Sequence, residues 1–176
     1  MKEYLEIVAA IPKESIAYVD ETGITEYLHR QYCRAKRGVK IIGKVSGKKF
    51  KSVGILAAQI KSVGILAAQM NNKIIAPLQY DGTMGSSFFE TWFEKYLLLA
   101  LPKDTTVIMD NASFHRKNKL ILLAQKHGCR IIFLPPYSPE LNDIENFWSW
   151  LKNRLRKILP DFACLDDAIS DCFQVE

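Results

Sequence analysis

Three acidic residues stand where their surroundings would let them do chemistry rather than coat a surface. Asp20 closes the apolar run in residues 15–23, SIAYVDETG, and Asp110 closes a second in residues 105–115, TTVIMDNASFH. Both runs are of strand type, and small turn-forming residues follow each acid, so a break is expected at Gly23 and after Asn111. Glu145 lies in residues 134–152, LPPYSPELNDIENFWSWLK, where a rigid proline-rich lead-in delivers it onto a helix. Carboxylates are hard oxygen donors suited to Mg²⁺ or Mn²⁺. An acid at the carboxyl end of an apolar strand is where open α/β sheets place their chemistry. If the two strands are neighbours, a spacing of about 4.8 Å brings Asp20 and Asp110 within reach of one metal site.

The elements that must carry these acids can be read from periodicity. Leu141, Ile144, Trp148, Leu151, Leu155 and Ile158 recur at steps of three and four, one face of an α-helix. Glu145 sits at the margin of that face, and Ser149, Lys152 and Arg156 follow on its own stripe. A competing reading stands beside the catalytic one. Asn142 and Glu145 have the spacing of a capping box, in which Glu145 only satisfies the helix's first amides. Either Asp alone could equally cap a turn, but all three acids together point to a site.

The order Asp20, Asp110 in MDNASFH and Glu145 in LPPYSPELNDIE, with 34 residues between the last two acids, resembles the DDE catalytic domain of the mariner superfamily of transposases. It most resembles the bacterial insertion-sequence branch. The resemblance runs from YVDETGI through GKVSGKKF, APLQYDGTM and MDNASFHR to the last long helix. Asp143 departs from it, since proline usually precedes the Ile-Glu pair, but a first helical turn also favours Asp. The resemblance implies a ribonuclease H-like α/β fold, a mixed five-stranded sheet flanked by helices, with its first and fourth strands adjacent and parallel. It implies that Asp20, Asp110 and Glu145 are catalytic and hold two Mg²⁺ or Mn²⁺ ions for in-line phosphoryl transfer. The expected reaction is cleavage at transposon ends followed by 3′-hydroxyl strand transfer into target DNA. Glu21, Asn111 and His115 are expected around the acids, Asn111 to orient Asp110 and His115 to touch a substrate phosphate. Expected partners are double-stranded DNA and a second copy of this chain on it. Related full-length enzymes carry N-terminal helix-turn-helix modules, which nothing before Ser15 could hold, so either a separate polypeptide is expected to supply them or the chain is a fragment. Two alternatives stay open: a nuclease of this fold without strand transfer, and an inactive DNA-binding remnant.

Composition agrees with one domain over residues 1–176: 48% of residues are apolar, enough for one sizeable core. Cys33, Cys129, Cys164 and Cys172 form no CxxC pair and have no histidine at zinc-ligand spacing, which suits reduced thiols in a cytoplasmic protein, and the resemblance implies a bacterial, nucleoid-associated one. No apolar run approaches the length of a membrane span, and no secretion leader is evident. Charge is concentrated. Between Tyr27 and Tyr80 there are eleven Lys or Arg residues and no Asp or Glu. A solvated face would explain this, but Gly38, Gly43 and Gly47 among them suit close approach to phosphates. Arg34, Lys36, Arg37, Lys40, Lys44, Lys48, Lys49 and Lys51 are therefore DNA-binding candidates. Arg116, Lys117, Lys152 and Arg156, from later helices, join them.

The same region holds a tandem repeat, KSVGILAAQI at residues 51–60 and KSVGILAAQM at residues 61–70. Both copies cannot form one strand, because twenty residues would span roughly 66 Å in a domain whose radius of gyration is near 16 Å. The second copy leads straight into Asn71-Asn72 and the next strand, residues 73–78, so it is expected to be the sheet strand, with the first copy displaced to an edge or loop. The rest reads as scaffold. A turn spans residues 81–84, and a helix over residues 86–101 buries Phe89, Trp92, Phe93, Tyr96 and Leu97. A helix capped by Ser113 stops at Gly128, a strand covers residues 131–134, and a short helix covers residues 161–173.

Overall fold

A computed structural model describes residues 1–25 and 62–174; the first repeat copy and the basic residues from Arg34 to Lys51 lie outside the described residues. The described chain opens with α1 (Lys2–Ala9) and a 3-10 turn (Lys13–Ser15). The strands β1 (Ile16–Thr25), β2 (Ser62–Met70) and β3 (Lys73–Asp81) follow. Next come α2 (Ser86–Trp92), a π-helical turn (Phe93–Leu97), α3 (Leu98–Ala100), β4 (Thr106–Met109), α4 (Lys117–Lys126) and β5 (Arg130–Phe133). A 3-10 turn (Pro139–Leu141), α5 (Ile144–Ile158), another (Leu159–Asp161) and α6 (Leu165–Gln174) complete it.

The second repeat copy is a sheet strand because both of its faces are apolar. Val63, Ile65 and Ala67 are buried on one side, Leu66, Ala68 and Met70 on the other. It pairs antiparallel with β1 and β3. Asn71 and Asn72 join it to β3 at φ 53° and 61°, the double left-handed conformation of a type I′ hairpin. This is the placement expected for that copy. β1 does not break at Gly23. Gly23 pairs with Gly64, and the ladder runs on to Thr25 opposite Ser62, burying Ile24 completely. β3 also runs longer than expected, and a bulge opposite Ala67 accommodates Ala76 (φ 50°) and Pro77, which has no amide to give a ladder.

The sheet order is β3-β2-β1-β4-β5. β1 and β4 are adjacent and parallel, from Ile16 opposite Thr106 to Val19 opposite Met109, and β5 is parallel to β4. One face packs Ala17, Val19, Leu66, Val107 and Met109 against α2, the π turn and α4. The other packs Ile24, Val63, Ile65 and Ala67 against Ile144, Trp148, Leu151 and Leu155 of α5 and Leu165 and Ile169 of α6. Tyr4 of α1 and Ile11 just after it close over Ile16, Ile108 and Leu134.

Three helical expectations need correction. The stretch after Ser86 is interrupted by the π turn, whose extra residue shifts the buried stripe. Phe93 and Leu97 are fully buried, whereas Tyr96 is 59% exposed. α4 starts at Lys117 rather than beside Ser113, because Phe114 and His115 pack inward ahead of it. It ends at Gly128 (φ 72°) as expected. The last helix begins at Leu165, behind the 3-10 turn at Leu159–Asp161.

Candidate active site

Strand order alone brings two of the acids together. Asp20 follows Val19 on β1 and Asp110 follows Met109 on β4, and Val19 and Met109 are partners in the parallel register. Asp20 sits on the sheet face covered by α5, where Trp148 Nε1 donates to its Oδ2 at 3.2 Å. The start of α5 is fastened to β1 a second time by Asn142, whose Nδ2 donates to the Val19 carbonyl at 3.5 Å. Asp20, Asp110 and Glu145 thereby line one open cleft of about 420 Å³, floored by Asn111 and walled by Pro135 and Tyr137.

The capping reading of Glu145 fails in this geometry. The residue ahead of α5 is Asp143, and no side chain caps the helix. Asn142 turns inward instead of capping, is 4% exposed, and its Oδ1 has no partner among the described residues. Glu145 is left exposed at the cleft.

Electrostatics single out Asp20. Burial, then the Glu145 charge and more weakly that of Asp110, push its carboxyl up to about 7, while the Glu21 amide and Trp148 work the other way. A carboxyl this perturbed, crowded by like charges in a cleft, is what a divalent cation relieves. Among the described residues no three His, Cys, Asp or Glu side chains stand close enough to hold a metal as they are. The three acids share a cleft without converging.

The surrounding residues divide by sheet face. Glu21 points to the α2 side, where the Tyr80 hydroxyl donates to its Oε2 at 3.2 Å. Tyr80 can cross the sheet there because Gly64 beneath it has no side chain; a Cβ would lie 2.2 Å from the ring. Burial raises the Glu21 carboxyl, and the Tyr80 bond partly counters this. Asn111 does not touch Asp110. Its amide donates to the Leu134 carbonyl, tying the end of β4 to the end of β5. Asp110 instead accepts from the Ala112 amide at 3.1 Å. His115 Nδ1 lies 3.4 Å from Asp110 Oδ1 and 3.3 Å from its carbonyl oxygen. The His115 side chain is 5% exposed, packed against Phe89 and Phe114 with ring centres 4.3 and 4.4 Å away. It therefore bears on Asp110, not on the surface a phosphate would approach. Burial lowers its pKa, outweighing the pull of Asp110.

Of the basic candidates within the described residues, Arg116 is committed elsewhere: its Nε and Nη2 donate to Glu90 at 2.5 and 2.6 Å. Lys117 Nζ stands 4.8 Å from the centre of the Phe133 ring. Lys152 and Arg156 are half-buried on α5, and Arg156 donates to Asn153 Oδ1 at 2.8 Å. Cys129, Cys164 and Cys172 are free thiols. Sequence reasoning missed Trp148, Tyr80 and Glu90 as partners of the site. The signal for Glu90 was present, an acid lodged between Phe89 and Trp92 on an otherwise apolar helix face.

Acids just past the last pair of two adjacent parallel strands, with a third at the head of the helix crossing them, on this fold make a polynucleotidyl-transferase catalytic domain of the DDE type. The chain belongs to the DDE superfamily endonuclease family, whose model matches residues 15–168. An uncharacterized protein of Sinorhizobium fredii, y4pE/y4sA, is 37% identical over 71 residues, 38% of this chain and 46% of that protein. The Mos1 transposase paired-end complex with left transposon end superposes over 99% of this chain and 51% of its own, with a TM-score of 0.67 at 12% identity. The Mos1 mariner paired-end complex with Mn covers 99% and 54%, with a TM-score of 0.62 at 13% identity. A simian T-cell lymphotropic virus intasome gives 0.55 at 15% identity, over 91% and 47%. These likenesses establish the ribonuclease H-like fold, which this chain shares with transposase catalytic domains. The chain spans about half the length of the proteins it matches.

Proposed function

We propose that this domain cuts phosphodiester bonds at the ends of a mobile DNA element and joins the freed 3′-hydroxyl to target DNA. Asp20, Asp110 and Glu145 are its catalytic residues. The observation that carries this reading is the shared cleft, lined by a half-buried, charge-crowded Asp20 together with Asp110 and Glu145. The donor set fits Mg²⁺ or Mn²⁺, three hard carboxylates with no cysteine or histidine among them. Two such ions, when bound, supply charge stabilisation to the attacking and leaving oxygens of an in-line displacement.

The chain's own part is to place charge and exclude alternatives. Asp20, Asp110 and Glu145 would hold the ions as carboxylates, and Trp148 Nε1 fixes Asp20 by donating to its Oδ2. Asp110 and Glu145 stand exposed on the same cleft. His115, enclosed by Phe89 and Phe114, backs Asp110. Lys117, Lys152 and Arg156 and the basic residues 34–51 supply cations for the DNA backbone. The domain acts on double-stranded DNA as a homodimer in the bacterial nucleoid. No helix among the described residues is long and apolar enough to cross a membrane.

A divalent-metal titration with end-labelled duplex DNA tests this reading. Nicking that needs Mg²⁺ or Mn²⁺ is expected, together with joining of a pre-cut 3′ end to a second duplex. Hydrolysis without joining would reduce the activity to that of a nuclease, and metal-independent or absent cleavage would overturn the reading.

A further inference from the structure

The Asp110 loop is held from below by two consecutive residues of α2, and neither contact belongs to the carboxylate site itself. Phe89 is 2% exposed and carries the His115 ring. Glu90, next to it, is 4% exposed and lies beneath the loop's end. Its carboxylate accepts two hydrogen bonds from Arg116 and a third contact from Lys119 Nζ at 2.7 Å. Burial raises a carboxyl, and here the two cations outweigh it, holding Glu90 below the usual range. Arg116 immediately follows His115, which in turn sits against Asp110. An acid on a helix face otherwise given to Phe89, Trp92 and Phe93 would be costly there unless paired.

We propose that Glu90 is a positioning residue for the phosphoryl-transfer site: with Arg116 it clamps the far end of the loop, so that His115 stays beneath Asp110. This rests on the proposed function for its kinetic consequence and on geometry alone for its structural one. It also reassigns Arg116 from the DNA surface to the support of Asp110. The bidentate pairing of a planar guanidinium with a buried carboxylate fixes direction as well as distance, which a lysine at that position could not do.

The test compares Glu90→Gln, Arg116→Gln and the double variant with the parent, each checked for a parent-like circular dichroism spectrum. Cleavage at saturating DNA and metal should fall about 10- to 100-fold in either single variant, the scale for partners one step removed from metal ligands. DNA affinity and its salt slope should not change. The double variant should be no slower than the slower single one, because both remove the same clamp. Independently of activity, amide exchange at Ala112 and His115, which close the loop's turns onto Asp110 Oδ1 and the Ala112 carbonyl, should quicken while β2 amides do not. Parent-like exchange at those amides would overturn the proposal even if the parent proved unable to cut DNA. A weakened, less salt-dependent DNA affinity for Arg116→Gln with unchanged rate at saturation would overturn it in favour of a DNA contact. Should Glu90→Gln fail to fold, Arg116→Gln carries the test, since the Arg116 side chain is 51% exposed.

Discussion

Asp20 and Asp110 stand side by side just past the last parallel pair of β1 and β4, yet the chain holds them by different means. Asp20 lies within the β1 ladder, opposite Ala67 of β2, so backbone pairing on a buried strand fixes where its carboxyl begins. Asp110 lies one residue beyond β4, and its side chain is 51% exposed. Its place depends on side chains: Asn111 on the Leu134 carbonyl, His115 against Phe89, Arg116 on Glu90. Burial therefore tunes the chemistry of the first acid, while contacts set the geometry of the second. A ladder position tolerates change around it better than a position assembled from side-chain contacts.

The largest expected effect treats both acids alike. Asp20→Asn and Asp110→Asn keep shape and remove charge, and each should lower metal-dependent cleavage at least a hundred- to a thousandfold, roughly the loss seen when a preorganised electrostatic group is removed. A rate assay on protein with an unchanged circular dichroism spectrum checks this, and parent-like turnover in either variant contradicts it.

Stability should then separate the two acids. The folded Asp20 carboxyl stands at about 7, above its ordinary 3.8, so the folded state keeps a proton that the unfolded chain releases. Without metal, this group's contribution is whole below about pH 4 and is lost as the pH rises through 7, a fall of a few kcal/mol at about 1.4 per pH unit. Thermal midpoints across that range should drop for the parent and flatten for Asp20→Asn. At pH 8 the metal-free Asp20→Asn domain should melt above the parent. An equal pH dependence in parent and variant would show that Asp20 is not the group responsible.

A smaller change reaches Asp20 through its partner. Trp148→Phe keeps an aromatic ring in the core and removes the donor to Oδ2, and should cost about 1.5 to 3 kcal/mol at pH 8, the range for a hydrogen bond to a charged group. Urea unfolding measures it, and a variant as stable as the parent would mean that the bond adds nothing. The smallest effect concerns the strand beside β1. Asn72→Gly suits a φ of 61° and should be neutral or stabilising by up to about 1 kcal/mol, with cleavage unchanged. Clear destabilisation would show that the Asn72 side chain, rather than its backbone, shapes the hairpin.

What could be read beforehand follows the same division. The acids in the two apolar runs, the face of α5 and the Asn71-Asn72 hairpin rest on local period and turn chemistry, which the chain displays openly, although β1 runs on past Asp20 to Thr25. The parallel pairing of β1 and β4 came from the family resemblance, since periodicity carries no strand order. Residues whose role depends on a distant partner were hidden. Asn142 has the spacing of a cap, but its partner is Val19, 123 residues away. Glu90 stood out as an acid in an aromatic stripe, but its partner Arg116 lies 26 residues on, and Tyr96 was placed inside because no local signal announces a π turn. Ser113 is a good cap in isolation, yet the inward packing of Phe114 and His115 delays α4 until Lys117.

The central claim is that three acids sharing a cleft without converging form one metal site. Binding of Mn²⁺ in the presence of duplex DNA, followed by electron paramagnetic resonance, tests it most directly. The parent should bind two ions, and Asp20→Asn, Asp110→Asn and Glu145→Gln should each weaken or abolish that binding. Undiminished binding by Glu145→Gln would place Glu145 outside the site and contradict the account.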